Sequence, residues 1–450
     1  MFNRNITTNL QNWAQNHDRK PLILRGARQV GKTTSVNLFA KNFDQYIYLM
    51  LENIEHRNMF DPEKSFDDIL AAIFFHKNTA RDPNKKTLIF IDEIQNSKTA
   101  IAMMRYFYEN TKELFVIAAG SLLETLIEKE VSFPVGRVEY MFMHPLSFSE
   151  FLYAMNEQEA LNILNTIPIP EFAHEKLLKL FHQYTLLGGM PEVIKNYVTN
   201  KDITTLNPIY QNLMLAYTDD VEKYTKNAHA RDYIRHAIMQ APLEAGKRIK
   251  FHGFGSSNYG SREMGEALRT LEKAMLLYLI YPTTAILPPI IPNQKKSPKL
   301  QFLDTGLVNY TAGLQKYFFK LNDLNTFYQG SIAEHIVGQE LLVTNFMAAR
   351  KLNFWVREKA ESNAELDFVI PFENYIIPIE VKAGKSGTLR SLHQFIDATN
   401  HTTGIRLSSN HFQVENLKTI NGKDFTLLNI PYYLTYKIPN YLEKYFKNLD

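Results

Sequence analysis

One octapeptide constrains this chain more than any other feature. Residues 26–33 read Gly-Ala-Arg-Gln-Val-Gly-Lys-Thr, the pattern G-x-x-x-x-G-K-T. The short apolar run Pro21–Leu24 precedes it and the helical stretch Thr33–Lys41 follows, which is the strand–turn–helix context such a loop needs to bind phosphate. Its glycines let successive backbone N–H groups curl around phosphate oxygens, and the helix N-terminus adds positive potential. Gly26, Ala27, Arg28, Gln29, Val30, Gly31, Lys32, Thr33 and Thr34 are therefore read as the cradle of ATP. Lys32 is expected on the β and γ phosphates and the Thr33 hydroxyl on Mg²⁺.

About sixty residues on, Thr87–Ile91 is an uninterrupted apolar run that ends in Asp92-Glu93. Acids at the carboxyl end of a parallel strand lie where such sheets bind ligands. Asp92 is the expected second Mg²⁺ holder, and Glu93 the residue that orients or deprotonates the attacking water. A third apolar run, Leu114–Ala119, leads into Gly120-Ser121. Ser121 is a candidate for the γ phosphate or the lytic water and equally an ordinary helix N-cap. Arg137, in Phe133-Pro134-Val135-Gly136-Arg137, is a candidate transition-state arginine in cis or in trans, and equally a surface ion-pair partner.

Composition bounds what surrounds this site. The chain has 450 residues, enough for roughly three domains. Its 45% hydrophobic and 22% charged content excludes global disorder. Fifty Lys and Arg against 47 Asp and Glu leave a net charge of +3, which neither marks a nucleic-acid binder nor argues against a local basic groove. Without cysteine there are no disulfides, thiolate zinc sites or Cys nucleophiles, in keeping with a cytoplasmic location. The polar N-terminus has no apolar core of a signal peptide. The longest uncharged stretch, Ala274–Pro292, carries four prolines and reads as a helix end and extended ribbon, so no membrane partner is expected.

The pattern is α/β with four parts. Residues 1–150 alternate strand and helix, as in a parallel sheet covered on both faces. Residues 151–225 are helical, interrupted at Gly188-Gly189-Met190-Pro191. Residues 226–300 offer a helix at Ala228–Gln240, a second at Ser261–Ile280 and a Pro-rich ribbon, an order resembling a winged helix and equally an ordinary helical hairpin. Residues 301–450 form a second α/β unit, with a helix over Gly330–Phe346 and short strands at Phe354–Arg357, Leu366–Ile370 and Ile376–Val381.

Taken together, Arg25–Thr33, the strand ending Asp92-Glu93-Ile94-Gln95, and Gly136-Arg137 before Pro145-Leu146-Ser147-Phe148 resemble a prokaryotic AAA+ ATPase family with a fused C-terminal domain of unknown function. Gly188-Gly189-Met190-Pro191, Phe302-Leu303-Asp304-Thr305-Gly306-Leu307, Glu334, Glu365-Leu366-Asp367-Phe368 and Glu380-Val381-Lys382 extend the resemblance over about residues 20–400. It implies an ATPase with Lys32, Thr33, Asp92 and Glu93 in the nucleotide site. It implies no settled biological role.

The C-terminal acids form a second constellation. Period-two alternation puts Glu365 and Asp367 on one face of their strand, and Glu380 and Lys382 on one side of the next. Glu334 lies on a mostly apolar helical stripe, costly without a partner. Such carboxylates attract a hard cation, and a metal beside a lysine can activate water against a phosphodiester. Glu334, Asp367 and Glu380 with Lys382 are the expected second Mg²⁺ site, in an order resembling the restriction-endonuclease-like core. The competing expectation is a retained fold whose acids form buried ion pairs without catalysis. Three functions stay open: an ATPase coupled to DNA, a nucleotide switch acting on a protein partner or on self-association, and a DNA nuclease licensed by ATP.

Overall fold

The apolar runs of the first 145 residues become one parallel sheet because their side chains are buried on both faces. A computed structural model describes residues 2, 4–120, 136–220, 225, 227–315, 331–343, 351–358, 364–382 and 389–446. The chain divides into two compact units, one made chiefly of Met1–Pro145 and the other chiefly of the residues from Leu146 onward.

In the first unit, α1 (Ile6–Gln15) precedes β1 (Leu22–Arg25), α2 (Lys32–Phe39), β2 (Gln45–Met50), α3 (Ile54–Asn58) and α4 (Phe66–His76). Then come β3 (Thr87–Asp92), α5 (Lys98–Asn110), β4 (Phe115–Gly120) and β5 (Glu139–Phe142). The strand order is β2-β3-β4-β1-β5, all parallel, so β4 lies between the loop-bearing β1 and the acid-bearing β3. Every residue of β1, β3 and β4 is buried, as expected of central strands covered on both faces. Ser65 and Ser97 cap α4 and α5 by accepting from the amides of Asp68 and Ala100, which fixes where each helix starts.

The second unit begins with helices Phe148–Ala154, Gln158–Leu164, His174–Leu187, Pro191–Asn200 and Asn207–Asp219. The first opens with a capping box, Ser147 and Glu150 each bonding the other's backbone amide. Helices Ala228–Gln240 and Ser261–Lys273 follow, then β6 (Leu277–Thr283) and β7 (Lys299–Phe302). The helix expected over Ser261–Ile280 therefore stops seven residues early. Met275 adopts a left-handed backbone, φ 59°, and the apolar run beyond it pairs as a strand. Sheet pairing of Leu-Tyr-Leu-Ile-Tyr outweighs the helical period.

That ribbon is not a free wing. β6 pairs antiparallel with β7 and parallel with β8 (Asn353–Val356), so both belong to an eight-stranded mixed sheet. With β9 (Glu365–Phe372), β10 (Tyr375–Val381), β11 (Thr403–Ser408), β12 (Gln413–Lys418) and β13 (Asp424–Pro431), its order is β12-β13-β11-β10-β9-β8-β6-β7. The expected boundary at 300/301 falls inside β7, and that at 150/151 inside helix Phe148–Ala154. A core of Trp355, Leu366, Ile376, Leu392, Phe395 and Leu427 packs one face of this sheet.

The Gly188-Gly189 and Asp304-Thr305-Gly306 motifs meet in the second unit. Gly188 has φ 72°, and a Cβ there would collide with the Asp304 carboxylate, so only glycine fits. Asp304 is fully buried and accepts from the amides of Gly189 (2.6 Å) and Leu307 (3.2 Å). Thr305 bonds Gln339, Gln339 donates to the Tyr184 hydroxyl, and that hydroxyl donates to Glu340 at 2.8 Å. The backbone of Phe148 donates to the same Glu340 oxygen. These motif residues build the fold: the Asp304 carboxylate and one Glu340 oxygen are answered by backbone amides and side chains brought from distant segments.

Candidate functional site

The parallel register brings the carboxyl ends of β1, β3 and β4 to one edge of the first sheet, at Arg25, Asp92 and Gly120. Residues 26–31 leave that edge as a loop and α2 opens at Lys32, so the first amides of α2 have no partner within the helix. A Cβ on Gly26 would collide with the carbonyl oxygen of Met143, so the loop passes against the end of β5 only because residue 26 has no side chain.

Lys32 is buried, and its Nζ donates to the carbonyls of Gly26 and Ala27, both at 2.8 Å. Burial pushes its pKa down to about 8, against the attraction of Glu93 and Asp92. The Thr33 hydroxyl donates to Asp92 Oδ2 at 2.7 Å, and the Tyr48 hydroxyl donates to the same oxygen at 3.2 Å. Asp92 is only 1% exposed. Burial raises its carboxyl above the ordinary range; the Thr33 bond opposes that rise and the Glu93 charge adds to it. Glu93 takes a left-handed backbone, φ 53°, its amide donates to Asp92 Oδ1 at 3.1 Å, and the Gln95 amide group donates to its carboxylate. Such backbone conformations cost roughly 1 kcal/mol or more and cluster at functional sites; Gln29, in the phosphate loop, has another, at φ 64°.

The expected residues thus meet unevenly. Gly26, Ala27, Val30, Gly31, Lys32, Thr33, Asp92 and Glu93 surround one edge. Gln29 and Thr34 are exposed, and Arg28 pairs with Glu52 at 3.3 Å. Ser121 lies outside the described residues. Arg137 is at the opposite edge: Glu139, two residues on, pairs with Leu22 at the start of β1, and Arg137 bonds Glu109 near the end of α5 at 3.0 Å. Four strand residues separate the two edges by roughly 13 Å, and the contact Arg137 makes is the ion pair with Glu109. Tyr48 escaped the sequence reading, and Gln95 entered it only as a mark of the resemblance, with no role. Tyr48 was detectable in principle: once β2 pairs with β3, alternation puts Tyr46, Tyr48 and Met50 on one face.

The C-terminal acids do come together, around a residue the sequence reading missed. Lys299 Nζ, on β7, stands 2.9 Å from Glu334, 3.1 Å from Glu365 and 3.2 Å from Asp367. Asp367 accepts from the Val381 amide at 2.7 Å, Lys382 donates to Glu380 at 2.6 Å, and Arg248 bonds Glu365 at 3.1 Å. Burial opposes the charge of Lys299, but Asp367, Glu334 and Glu365 outweigh it and hold the ammonium above its ordinary pKa. Burial, then the Asp367 charge, pushes Glu334 and Glu380 up to about 7. The ammonium takes the place a cation would take among three carboxylates. Among the described residues no group of three or more His, Asp or Glu side chains is arranged to hold a metal ion. The donor set of Glu334, Asp367 and Glu380 with Lys382 therefore does not fit a second Mg²⁺. The one available signal was a lysine opening the otherwise uncharged strand Lys299-Leu300-Gln301-Phe302.

Residues 18–152 match the family profile described as an AAA domain, residues 178–317 a domain of unknown function (DUF8612), and residues 329–433 another (DUF4143). The parallel-sheet unit is thus an AAA-type P-loop domain, followed by two domains to which no function is attached. No curated protein matches the chain. Among solved structures, a Walker-type ATPase of Pyrococcus abyssi is 14% identical with a TM-score of 0.45, over 69% of this chain and 96% of that one. RuvB of Thermotoga maritima is 14% identical with a TM-score of 0.28, over 65% and 92%. A signal-transduction ATPase of Pyrococcus horikoshii with a tetratricopeptide repeat sensor is 11% identical with a TM-score of 0.27, over 74% and 47%. No helix among the described residues is long and apolar enough to cross a membrane.

Proposed function

We propose that the chain is a cytoplasmic, Mg²⁺-dependent ATPase whose site is residues 26–34 with Asp92 and Glu93. The observation that carries this reading is the 2.7 Å bond between Thr33 and Asp92, reaching across β4 beside a buried lysine at a helix N-terminus. Two hard oxygen donors side by side, one on a desolvated carboxylate, suit Mg²⁺. Thr33 and Asp92 would hold that ion, which when bound neutralises charge on the β and γ phosphates. The loop amides and Lys32 grip the phosphates, Lys32 exchanging two backbone carbonyls for phosphate oxygens. Glu93 orients the attacking water and takes its proton, and Gln95 holds Glu93 in register. A phosphate contact from Ser121 belongs to the same reading. Arg137 contributes only in trans, from a second copy of the chain.

For the second unit the Lys299 tripod favours a nuclease-like fold retained without cleavage, so that ATP state acts as a switch on a protein partner or on self-association. Coupling of hydrolysis to DNA through an active nuclease-like domain is the competing reading. Both are tested by steady-state ATP hydrolysis with Mg²⁺, with and without duplex and single-stranded DNA, using Glu93→Gln as the blank. Loss of a general base is expected to lower kcat by roughly 10²-fold or more while binding survives. A wild-type rate no higher than that of Glu93→Gln overturns the ATPase. Stimulation by DNA, with cleavage abolished in Asp367→Ala, overturns the switch.

A further inference from the structure

Arg4 lies two residues ahead of α1, outside every motif that marks the nucleotide site. Ile6, Leu10 and Trp13 are buried at helical spacing and hold α1 on the first unit, and Trp13 Nε1 donates to the Lys20 carbonyl at 2.8 Å just ahead of β1. That anchorage delivers Arg4, itself only 7% exposed, to the phosphate loop. Its Nη1 donates to the carbonyl of Val30 and its Nη2 to the carbonyl of His144, both at 2.8 Å. One guanidinium therefore clamps the middle of the loop to the segment that follows β5.

We infer that Arg4 is a positioning residue of the nucleotide site: it sets the Val30–Gly31 peptide so that the Gly31 N–H faces the bound phosphates. In a trans peptide the C=O and N–H point in opposite directions. Holding the Val30 carbonyl on the Arg4 side turns the Gly31 amide the other way. Val30 is buried and the Gly31 carbonyl accepts from Ser35 at 2.9 Å, so both flanks of this peptide are fixed as well. A planar fork with two donors on separate nitrogens can hold both carbonyls at once, which a lysine ammonium on a flexible stem does poorly. The loop amides thus meet the phosphates already oriented, and less ordering is left to the binding step.

The inference rests on the ATPase reading, so wild-type hydrolysis and its loss in Glu93→Gln are established first; their absence breaks that reading and leaves Arg4 aside. The test then compares the ATP KM, the kcat, the ADP affinity and the thermal midpoint of wild type, Arg4→Ala, Arg4→Gln and Arg4→Lys. Loss of a charge-assisted hydrogen bond is expected to raise the ATP KM and ADP Kd about tenfold in Arg4→Ala, with kcat far less affected. Arg4→Lys recovers part of that loss. Should Arg4→Ala not fold, Arg4→Gln and Arg4→Lys decide. A KM within twofold of wild type in any folded Arg4→Ala or Arg4→Gln, or a loss confined to kcat or to thermal midpoint, overturns the inference.

Discussion

Two buried lysines, one in each unit, show how similar groups are put to different uses. Lys32 faces two backbone carbonyls, and burial brings its pKa down to about 8. Lys299 faces three carboxylates, which hold it charged in spite of burial. Carbonyls are neutral acceptors that can be exchanged for phosphate oxygens at little electrostatic cost. The carboxylates cannot be left behind so cheaply: Glu334 and Asp367 would lose the ammonium that neutralises them, while Glu365 keeps Arg248. One ammonium is therefore available to an incoming anion and the other is committed to its neighbours. A lysine beside acids at a sheet is thus not a signature of catalysis until its partners are known.

The sharpest way to break this contrast is to remove each lysine in turn. Lys32→Ala is expected to lower kcat/KM for ATP roughly 10²-fold or more, the scale of losing a buried donor to developing phosphate charge, with thermal midpoint little changed. Lys299→Met is expected to do the opposite: ATP hydrolysis persists, while denaturant unfolding at pH 8 shows a loss of about 3–5 kcal/mol, the cost of orphaning buried partners. That loss shrinks at pH 5, where Glu334, with its pKa near 7, carries a proton in the folded state. Equal effects of both changes on hydrolysis would erase the distinction.

A second prediction sharpens the Lys32 side through pH. Burial lowers its pKa from the ordinary lysine value, so the free protein carries the charge below about pH 8 and loses it above. The profile of kcat/KM for ATP should fall above about pH 8, approaching tenfold per pH unit, and Lys32→Arg should flatten that limb at a lower level. A flat wild-type profile to pH 9.5 would remove the argument. The smallest effect belongs to Glu340, buried beside Tyr184 and pushed up to about 7 by burial. A raised carboxyl pKa gives stability that is present at low pH and declines as pH rises from about 4.5 to about 7. Glu340→Gln should lie within about 1 kcal/mol of wild type at pH 5 and gain relative to it at pH 8, measured by urea unfolding.

The first unit was legible because local pattern and final environment agree there. Uninterrupted apolar runs became buried parallel strands, and the Gly26–Thr33 loop lies between a strand and a helix as its spacing requires. Legibility ended where distant residues decide. The stretch beyond Lys273 has helical spacing on paper, yet its partners β7 and β8 make it a strand, and no local signal names a partner 70 residues away. Alternation could bring Asp367, Glu380 and Lys382 together, with Glu334 on a preceding helix, but Lys299 enters from another strand through pairing that the sequence leaves unspecified. Arg137 was open between a transition-state role and a surface ion pair, because its place in the sequence does not say which edge of a parallel sheet it reaches; it bonds Glu109. Arg4 escaped because it lies ahead of the helical spacing of Ile6, Leu10 and Trp13, and nothing local says that this helix packs beside the phosphate loop.

The Glu340 contact with the Phe148 amide also bears on synthesis. The two residues are 192 positions apart, and Asp304 meets Gly189 across 115. A ribosome adding about 5–20 residues per second needs roughly 10–40 s to cover the longer interval. Throughout that time Phe148 and Phe151, buried in the finished protein, have no Glu340 helix to close over them. The sheet of the first unit draws its strands from residues 22–142 and can form during the wait. The long-range contacts of the second unit cannot close until residues 304 and 340 have been made.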